Sequence, residues 1–276
     1  MNTLQAILIA LLQGATELFP VSSLGHAVVV PALLKSGINQ SSPEFLPFLV
    51  FLHLGTAVAL LTYFWRDWWM LFLGVVGLAE EIMVQESRRV FIKIVVATIP
   101  AVIIGFALEK FVRGLFGVPV VAAGFLVVNG LLLLFGERFR NRGHRDLSTL
   151  TMTDAVCIGL WQCTALIPGI SRSGATIVGG VLRGITHEGS AHFSFLIATP
   201  IILGATVLEV PKLLHEHVPA GTFAQAALAA VVAGITAWCS TWFLMRYFRA
   251  HEDWALSPFA AYCVVAGAGA LAILLL

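Results

Sequence analysis

Charged side chains are scarce in this sequence. Asp, Glu, Lys and Arg together make up 11% of its 276 residues, whereas soluble domains carry about 25%. Hydrophobic residues make up 59% of the chain, so the polar residues cannot cover a water-exposed surface. The shortage of charge excludes an ordinary soluble protein and predicts an all-α integral membrane protein in contact with a lipid bilayer.

Other absences narrow the possibilities. The net charge is only +1 and no basic stripe occurs, which argues against nucleic acid as a partner. Cys157, Cys163, Cys239 and Cys263 show no C-x-x-C spacing, so neither a disulfide framework nor a cysteine metal site is indicated. No long polar linker divides the chain, which predicts a single membrane domain over residues 1–276. Met1 to Leu12 has no basic start and no cleavage site, so we expect no signal peptide.

Long apolar runs predict about six transmembrane helices, since a helix needs roughly 20 residues to cross a bilayer. The runs are Phe48 to Trp65, Val90 to Leu108, Val118 to Phe135, Phe193 to Val210, Phe223 to Leu244 and Ser257 to Leu276. Between the first two runs, Trp68 to Glu86 mixes Trp, Gly and acidic residues and favours an interfacial helix.

Two further apolar regions are interrupted at a proline. Leu4 to Leu34 is broken around Pro20, and Asp154 to Leu182 is broken around Pro168. Each half is too short to cross, and proline disfavours helix in the residue before it, so each region predicts a re-entrant hairpin of two half-helices. Such a break is stable at membrane depth only inside protein or beside water.

The two broken regions resemble each other, because Thr-x-Leu-Phe-Pro at 16–20 matches Thr-x-Leu-Ile-Pro at 164–168. One inserted residue then aligns Ser22 and Gly25 with Ser171 and Gly174. Three spans follow each hairpin, so the halves enter from opposite faces and form an inverted-topology repeat. The predicted repeats are 1–136 and 153–276, joined by a basic cytoplasmic linker at 137–152.

Loop charges predict the orientation. One side collects Arg66, Arg88, Arg89, Lys93, Arg138, Arg140, Arg142, Arg145, Arg183, Arg246 and Arg249. The other side collects only Lys35, Lys110, Arg113 and Lys212. The positive-inside rule assigns the Arg-rich face to the cytoplasm and both termini to the outside.

The few polar residues concentrate at the two breaks. Gln13 and Glu17 share one face of the first half-helix, and Glu17 falls at its C-terminal end, where the helix dipole disfavours a carboxylate. A bound cation would reverse that penalty. Carboxylate, amide and free carbonyl oxygens are ligands that Mg²⁺ or Ca²⁺ prefers.

The second half-helices carry groups suited to phosphate. Ser22 or Ser23 and Ser171 stand where these helices begin, and helix N-termini bind phosphate through free N–H groups. Arg172 adds a planar donor fork, and Ser171 and Ser173 add hydroxyls. Ser22 or Ser23 could act as a nucleophile with His26, one turn later, as the base.

These residues carry a family resemblance. Residues 13–26, QGATELFPVSSLGH, resemble the (E/Q)GxxExxPVSSxGH signature of the undecaprenyl-diphosphate phosphatases, also called bacitracin-resistance proteins. Residues 168–176, PGISRSGAT, resemble the second signature of that family, PGxSRSGAT. The similarity extends to His53-Leu54-Gly55-Thr56 and across most of the chain. Many members have glutamate where this chain has Gln13, which removes one anionic metal ligand.

The resemblance implies a metal-dependent phosphatase of the bacterial inner membrane, with its active site open to the external face. Its substrate would be undecaprenyl diphosphate, a polyprenyl diphosphate lipid; a homodimer is left open. The implied roles are metal binding by Glu17 and Gln13, nucleophilic attack by Ser23 with His26 as base, and diphosphate binding by Arg172. Support of the phosphates is implied for Ser22, Ser171, Ser173 and Thr176.

Three alternatives stay open. Paired half-helices around an anionic substrate also suit a transporter or flippase. A PAP2-type lipid phosphatase also combines a Ser-Gly-His element with a Ser-Arg element, although no K-x₆-R-P element precedes them here. Within the phosphatase prediction, the nucleophile could be a metal-bound water instead of a serine.

Overall fold

The computed structural model describes residues 1–38, 45–108, 114–115, 117–139, 145–215 and 220–276, without the side chains at 46–47, 208–215 and 220–222. Within these ranges the secondary structure is helical, apart from one isolated β-bridge between Arg145 and Ile185. The all-α prediction is therefore confirmed. Lys110, Arg113, Arg140, Arg142 and the side chain of Lys212, which entered the orientation argument, lie outside the described part.

Eleven α-helices of eight or more residues follow one another in the described ranges. They are α1 (Thr3–Thr16), α2 (Ser23–Leu33), α3 (Phe45–Tyr63), α4 (Trp65–Val76), α5 (Glu81–Ala107), α6 (Pro119–Glu137), α7 (Met152–Thr164), α8 (Arg172–Leu182), α9 (His187–His215), α10 (Ala220–Ala250) and α11 (Ser257–Leu275). A short 3₁₀ turn, Leu147–Thr149, precedes α7.

The prediction of about six spans is confirmed. Helices α5, α6, α9, α10 and α11 are each long and apolar enough to cross a membrane. A sixth candidate is α3 together with α4, which are bent by 77° at the junction between them. The chain is thus a multi-pass membrane protein.

The predicted interfacial helix from Trp68 to Glu86 is wrong in its bounds. Helix α4 already ends at Val76, because Gly77 adopts a left-handed conformation with φ 82°. Helix α5 then begins at Glu81, so the acidic end of the predicted segment belongs to the next span. The part that remains, α4, turns sharply away from α3 and exposes Trp65 and Trp69, as an interfacial helix would.

Each broken region forms a hairpin that returns to the side it entered from. Near the start of α1, the Gln5 amide donates to the carbonyl of Ser36, just beyond α2, at 3.0 Å. Near the start of α7, Asp154 accepts a hydrogen bond from Arg183, just beyond α8, at 2.7 Å. Both pairs join the two open ends of one hairpin, so both hairpins are re-entrant.

The two hairpins enter from opposite sides, and α10 shows this. At its start, Gln225 reaches the carbonyl of Met1 at 3.5 Å, beside the first hairpin. At its end, Arg249 bonds Glu188 at 2.9 Å, in the first turn of α9, next to the second hairpin. The 24 residues between these points span about 36 Å of helix, enough to cross a bilayer.

Packing between the halves is reciprocal. Helix α1 of the first half packs on α10 of the second, and α7 of the second half packs on α5 of the first. Each contact is close because a glycine meets backbone: Gly14 lies against Ala233 and Gly159 against Ala97. In an inverted repeat, a contact made by the first half on the second has a counterpart made by the second half on the first, as these two contacts do. The exact repeat bounds, 1–136 and 153–276, stay a prediction.

Candidate active site

The first break lies between α1, which ends at Thr16, and α2, which begins at Ser23. Glu17 directly follows α1, and its side chain is buried. Ser22 caps α2, because its hydroxyl accepts the N–H of Gly25 at 3.1 Å. The backbone of Ser22 has φ 69° and ψ 95°, a conformation that non-glycine residues rarely adopt and that functional sites tend to hold.

The second break, between Thr164 and α8, is built in the same way. Ser171 caps α8, because its hydroxyl accepts the N–H of Gly174 at 3.1 Å. The turn depends on Gly169, which has φ 102°. A side chain there would also meet the carbonyl oxygen of Ala122 at 2.3 Å, so only glycine fits. The predicted serine caps of both second half-helices are confirmed.

The two breaks are in direct contact. The hydroxyls of Ser171 and Ser173 both donate to the carbonyl of Phe19, at 3.3 and 3.0 Å. Asn129 of α6 joins the breaks as well: its amide donates to the carbonyl of Pro20 and accepts the N–H of Ser171, both at 2.9 Å. The N-terminal turns of α2 and α8 therefore meet at one buried junction.

Glycines allow this close approach. A side chain on Gly25, in the first turn of α2, would come within 3.1 Å of the backbone of Gly169 in the second break. A side chain on Gly174, in the first turn of α8, would come within 3.3 Å of Pro20 in the first break. Each helix start thus packs against the turn of the other hairpin, which brings two helix N-termini to one place.

Glu17 is the centre of the polar contacts. Its Oε2 accepts the hydroxyl of Ser23 at 2.5 Å and the amide of Gln13 at 2.9 Å. Its Oε1 accepts a guanidinium N–H of Arg172 at 3.3 Å. The Nε2 of His53, on α3, lies 3.4 Å from Oε2. Four side chains, one each from α1, α2, α3 and α8, thus surround one carboxylate.

The charges at this junction balance each other. Glu17 and Arg172 are both largely buried, with side-chain exposures of 6% and 14%. Removing one partner of a buried ion pair costs about 3–5 kcal/mol, because the other charge stays desolvated. Arg172 is also held by the carbonyl of Ser194, at 3.3 Å. The guanidinium is therefore fixed on the side of the junction that faces α9.

Thr176 lies one turn beyond Arg172 and takes part indirectly. Its hydroxyl lies 2.8 Å from the carbonyl of Arg172 and 2.6 Å from the hydroxyl of Ser194. These contacts tie the first turn of α8 to α9. The predicted support of the phosphates by Thr176 stays a prediction.

His26 does not contact the hydroxyl of Ser23 in this structure. Both residues are described, and no hydrogen bond joins them. The Nδ1 of His26 faces the carbonyl of Ser22 at 2.7 Å, and its Nε2 faces the hydroxyl of Tyr262 at 2.7 Å. The acceptor that Ser23 has is Glu17. The pairing of Ser23 with His26 expected from their spacing is thus absent.

From the sequence, no site role was assigned to four residues that line or brace the junction: Asn129, His53, Tyr262 and Ser194. Asn129 is fully buried in an otherwise apolar span, and a lone polar residue in such a span indicates a functional contact. His53 stands out in the same way within α3. Nothing in the local sequence pointed to Tyr262 or Ser194, because their roles depend on which helices pack together.

The donors around Glu17 suit a divalent cation. The Oε1 of Gln13 is buried and has no hydrogen-bond partner, and it belongs to the side chain that contacts Glu17. One carboxylate and one free amide oxygen match the hard ligands of Mg²⁺ or Ca²⁺. Among the described residues, no group of three or more His, Cys, Asp or Glu side chains could hold a metal. A cation here would need substrate oxygens and water as further ligands.

Known proteins match the chain over nearly its whole length. A family model described as bacitracin resistance protein BacA matches residues 6–269. A protein named undecaprenyl-diphosphatase from Granulibacter bethesdensis is 66% identical, with 99% of this chain and 97% of the relative covered. A protein of the same name from Acidiphilium cryptum is 56% identical, with 99% of each chain covered. The chain therefore belongs to the bacitracin resistance protein BacA family.

Proposed function

We propose that this protein is a membrane phosphatase that hydrolyses undecaprenyl diphosphate to undecaprenyl phosphate and inorganic phosphate. The observation that carries the proposal is the junction itself, where Ser23, Glu17 and Arg172 meet beside two helix N-termini. The relatives named undecaprenyl-diphosphatase favour this function over a transporter, a flippase or a PAP2-type phosphatase. The product would be the carrier lipid recycled for cell-wall synthesis.

Diphosphate binding follows from the helix starts. Helices α2 and α8 both begin at serine caps at the junction. The first N–H groups of a helix have no partner within the helix, and the helix dipole there favours an anion. Arg172 supplies a charged donor fork for phosphate oxygens. Arg172 is paired with Glu17, so a bound diphosphate would compete for the guanidinium. Ser22, Ser171 and Ser173 would line the same site.

Attack by Ser23 is consistent with its contact to Glu17. The hydroxyl already donates to the carboxylate at 2.5 Å, so Glu17 can take the proton as the serine oxygen bonds the terminal phosphorus. The bond from that phosphorus to the bridging oxygen then breaks, and undecaprenyl phosphate leaves with the electron pair. Water would hydrolyse the phosphoserine and release phosphate. In this scheme Glu17, and not His26, is the base.

A divalent cation, Mg²⁺ or Ca²⁺, belongs to the proposal. Glu17 and the free amide oxygen of Gln13 are the residues that would hold it. When bound, it would neutralise charge on the phosphate oxygens and ease attack by an anionic or polarised nucleophile. Gln13 contributes no charge, so the cation would be held more weakly than by two carboxylates.

The membrane side is also proposed. The open end of the second hairpin carries Arg145 and Arg183, both bonded to Asp154. The positive-inside rule assigns this side to the cytoplasm. The open end of the first hairpin, at Gln5 and Ser36, then faces outward. We therefore propose that the first hairpin enters from the external side of the membrane. The bacterial inner membrane, an active site open to the external face and a homodimer stay predictions from the family resemblance.

Phosphate release from undecaprenyl diphosphate by purified protein in detergent tests the proposal. With Mg²⁺ or Ca²⁺ present, the wild-type chain should release phosphate well above background, and Arg172→Ala should lose nearly all of that activity. Arg66→Ala is a matched control, because Arg66 carries the same charge outside the junction. Background release by the wild-type protein with either cation would refute the proposal, and uptake into vesicles would then test transport.

A further inference from the structure

His26 and Tyr262 form a pair that the proposed reaction does not use. His26 lies in the first turn of α2 and is 5% exposed. Tyr262 lies on α11, far away in the chain, and its hydroxyl is 2.7 Å from the Nε2 of His26. The two rings lie nearly parallel, with their planes 7° apart. A long-range contact of this kind fixes the orientation of an imidazole.

The partners of His26 determine which ring nitrogen carries the proton. The Nδ1 lies 2.7 Å from the carbonyl of Ser22, and a carbonyl only accepts hydrogen bonds. The Nδ1 must therefore carry the proton and donate it. In the neutral ring, Nε2 is then an acceptor, and the Tyr262 hydroxyl is its donor. Both nitrogens are occupied, and neither is available to the hydroxyl of Ser23.

His26 contacts Ser22, the residue of the first break with a strained backbone. Ser22 has φ 69° and ψ 95°, and such a backbone persists only where its surroundings enforce it. Its carbonyl accepts two bonds from His26: the backbone N–H at 3.2 Å and the ring Nδ1 at 2.7 Å. The Ser22 hydroxyl meanwhile caps α2 through Gly25. The orientation of Ser22 thus sets the start of α2 and, with it, the place of Ser23.

We propose that His26 and Tyr262 are positioning residues: Tyr262 fixes the His26 ring, and that ring holds the strained Ser22 backbone that aims α2 and Ser23 at the phosphate. The inference rests on the proposed phosphatase function for its kinetic test, but not for its spectroscopic test. This role differs from that of a general base. A positioning residue needs a hydrogen-bond donor at the place of Nδ1, whereas a base needs a titratable nitrogen. Those two requirements can be separated by substitution.

Asparagine makes that separation. The amide nitrogen of an asparagine side chain takes nearly the place of the histidine Nδ1, so it can donate to the Ser22 carbonyl, yet it cannot act as a base. His26→Asn should keep activity within about fivefold of wild type, whereas His26→Ala should lose about 100-fold, the order expected from a misplacement of about 1 Å. Equal losses in the two variants, with an active wild type, would overturn the proposal.

Tyr262 should act only through His26. Tyr262→Phe should lower kcat about tenfold in the wild-type background and have little further effect in the His26→Asn background, because the asparagine does not reach the tyrosine. Tyr247→Phe is the matched control, since its hydroxyl bonds the carbonyl of Ala255 instead. Equal losses of kcat in Tyr262→Phe and Tyr247→Phe would contradict the proposal that Tyr262 acts through His26. Additive losses of kcat in the variant that combines His26→Asn with Tyr262→Phe would contradict it as well.

The tautomer can be measured without any activity. In protein labelled with ¹⁵N-histidine, the signals of His26 are those that disappear in His26→Asn. Wild-type protein at neutral pH should show a protonated Nδ1 and an unprotonated Nε2, and Tyr262→Phe should shift the Nε2 signal. A protonated Nε2 with a free Nδ1 would overturn the proposal whether or not the protein releases phosphate. Background phosphate release with the expected tautomer would refute the phosphatase function and leave the positioning geometry intact.

Discussion

Replacing Asn129 with alanine tests whether one side chain holds the two hairpins together. The substitution removes the donor to the Pro20 carbonyl and the acceptor for the Ser171 N–H, both at 2.9 Å. Asn129 is fully buried, so neither freed group can turn to water. Each unpaired buried group costs about 1–3 kcal/mol, and two of them predict a loss of about 2–6 kcal/mol in the free energy of unfolding.

A smaller loss would follow if the freed groups found new partners. Hydrogen bonds between membrane helices average about 0.6 kcal/mol, because the unfolded reference state also pairs its polar groups. Two such bonds would give about 1.2 kcal/mol. The larger value is expected here because both freed groups belong to the backbone of the breaks. The Pro20 carbonyl keeps only the thiol of Cys263, a weak donor 3.9 Å away. Activity should fall about 100-fold, since Ser171 and Arg172 follow the hairpin as it shifts.

The assay combines equilibrium unfolding in mixed micelles with phosphate release measured well below the unfolding transition. Val128→Ala is the matched control, because Val128 precedes Asn129 on α6 and is 43% exposed. The control should change stability by less than about 0.5 kcal/mol. If Asn129→Ala matched Val128→Ala in stability and kept the wild-type kcat/KM, the junction would not depend on this amide and the reasoning would be refuted.

Three further predictions concern the turn, the nucleophile and the cation. Gly169→Ala should prevent folding, because φ 102° and a backbone oxygen at 2.3 Å exclude a side chain; a monodisperse, active product in size-exclusion chromatography would contradict this. Ser23→Ala should reduce phosphate release far more than Ser22→Ala, since only Ser23 contacts Glu17; equal small effects would favour a metal-bound water as nucleophile. Excess chelator should abolish phosphate release and added Mg²⁺ or Ca²⁺ should restore it; full activity in chelator would remove the cation from the mechanism.

Much of the architecture could be predicted because its signals are local. Pro20 and Pro168 interrupt apolar runs too short to cross, and the structure contains a re-entrant hairpin at each place. Serine caps could be expected from helix-start chemistry, and Ser22 and Ser171 fill those places. That ionisable groups gather at the two breaks also followed, because charges at membrane depth mark functional sites. The direct ion pair of Glu17 with Arg172 did not follow, because the sequence favoured a cation for the one and a phosphate for the other.

The prediction was less successful at one helix end and where long-range packing decides. The interfacial helix was given the wrong bounds, because Gly77 ends α4 and the acidic residues after it start a span. The spacing of Ser23 and His26 fits one helical turn, yet it did not foresee that Ser22 and Tyr262 would occupy both ring nitrogens. A spacing rule describes which residues share a face, and it does not include the competing partners that other helices bring.

By itself, the sequence determined that this chain lies in a membrane, that two proline breaks return to the side they came from, and that groups suited to phosphate gather at those breaks. These properties follow from hydrophobicity, proline geometry and helix-end chemistry, which act within a few residues of the chain. Only the tertiary structure decided that Glu17 accepts the Ser23 hydroxyl, that Asn129 joins the breaks, and that Tyr262 orients His26. Those contacts depend on helix packing, which brings together side chains up to 236 residues apart.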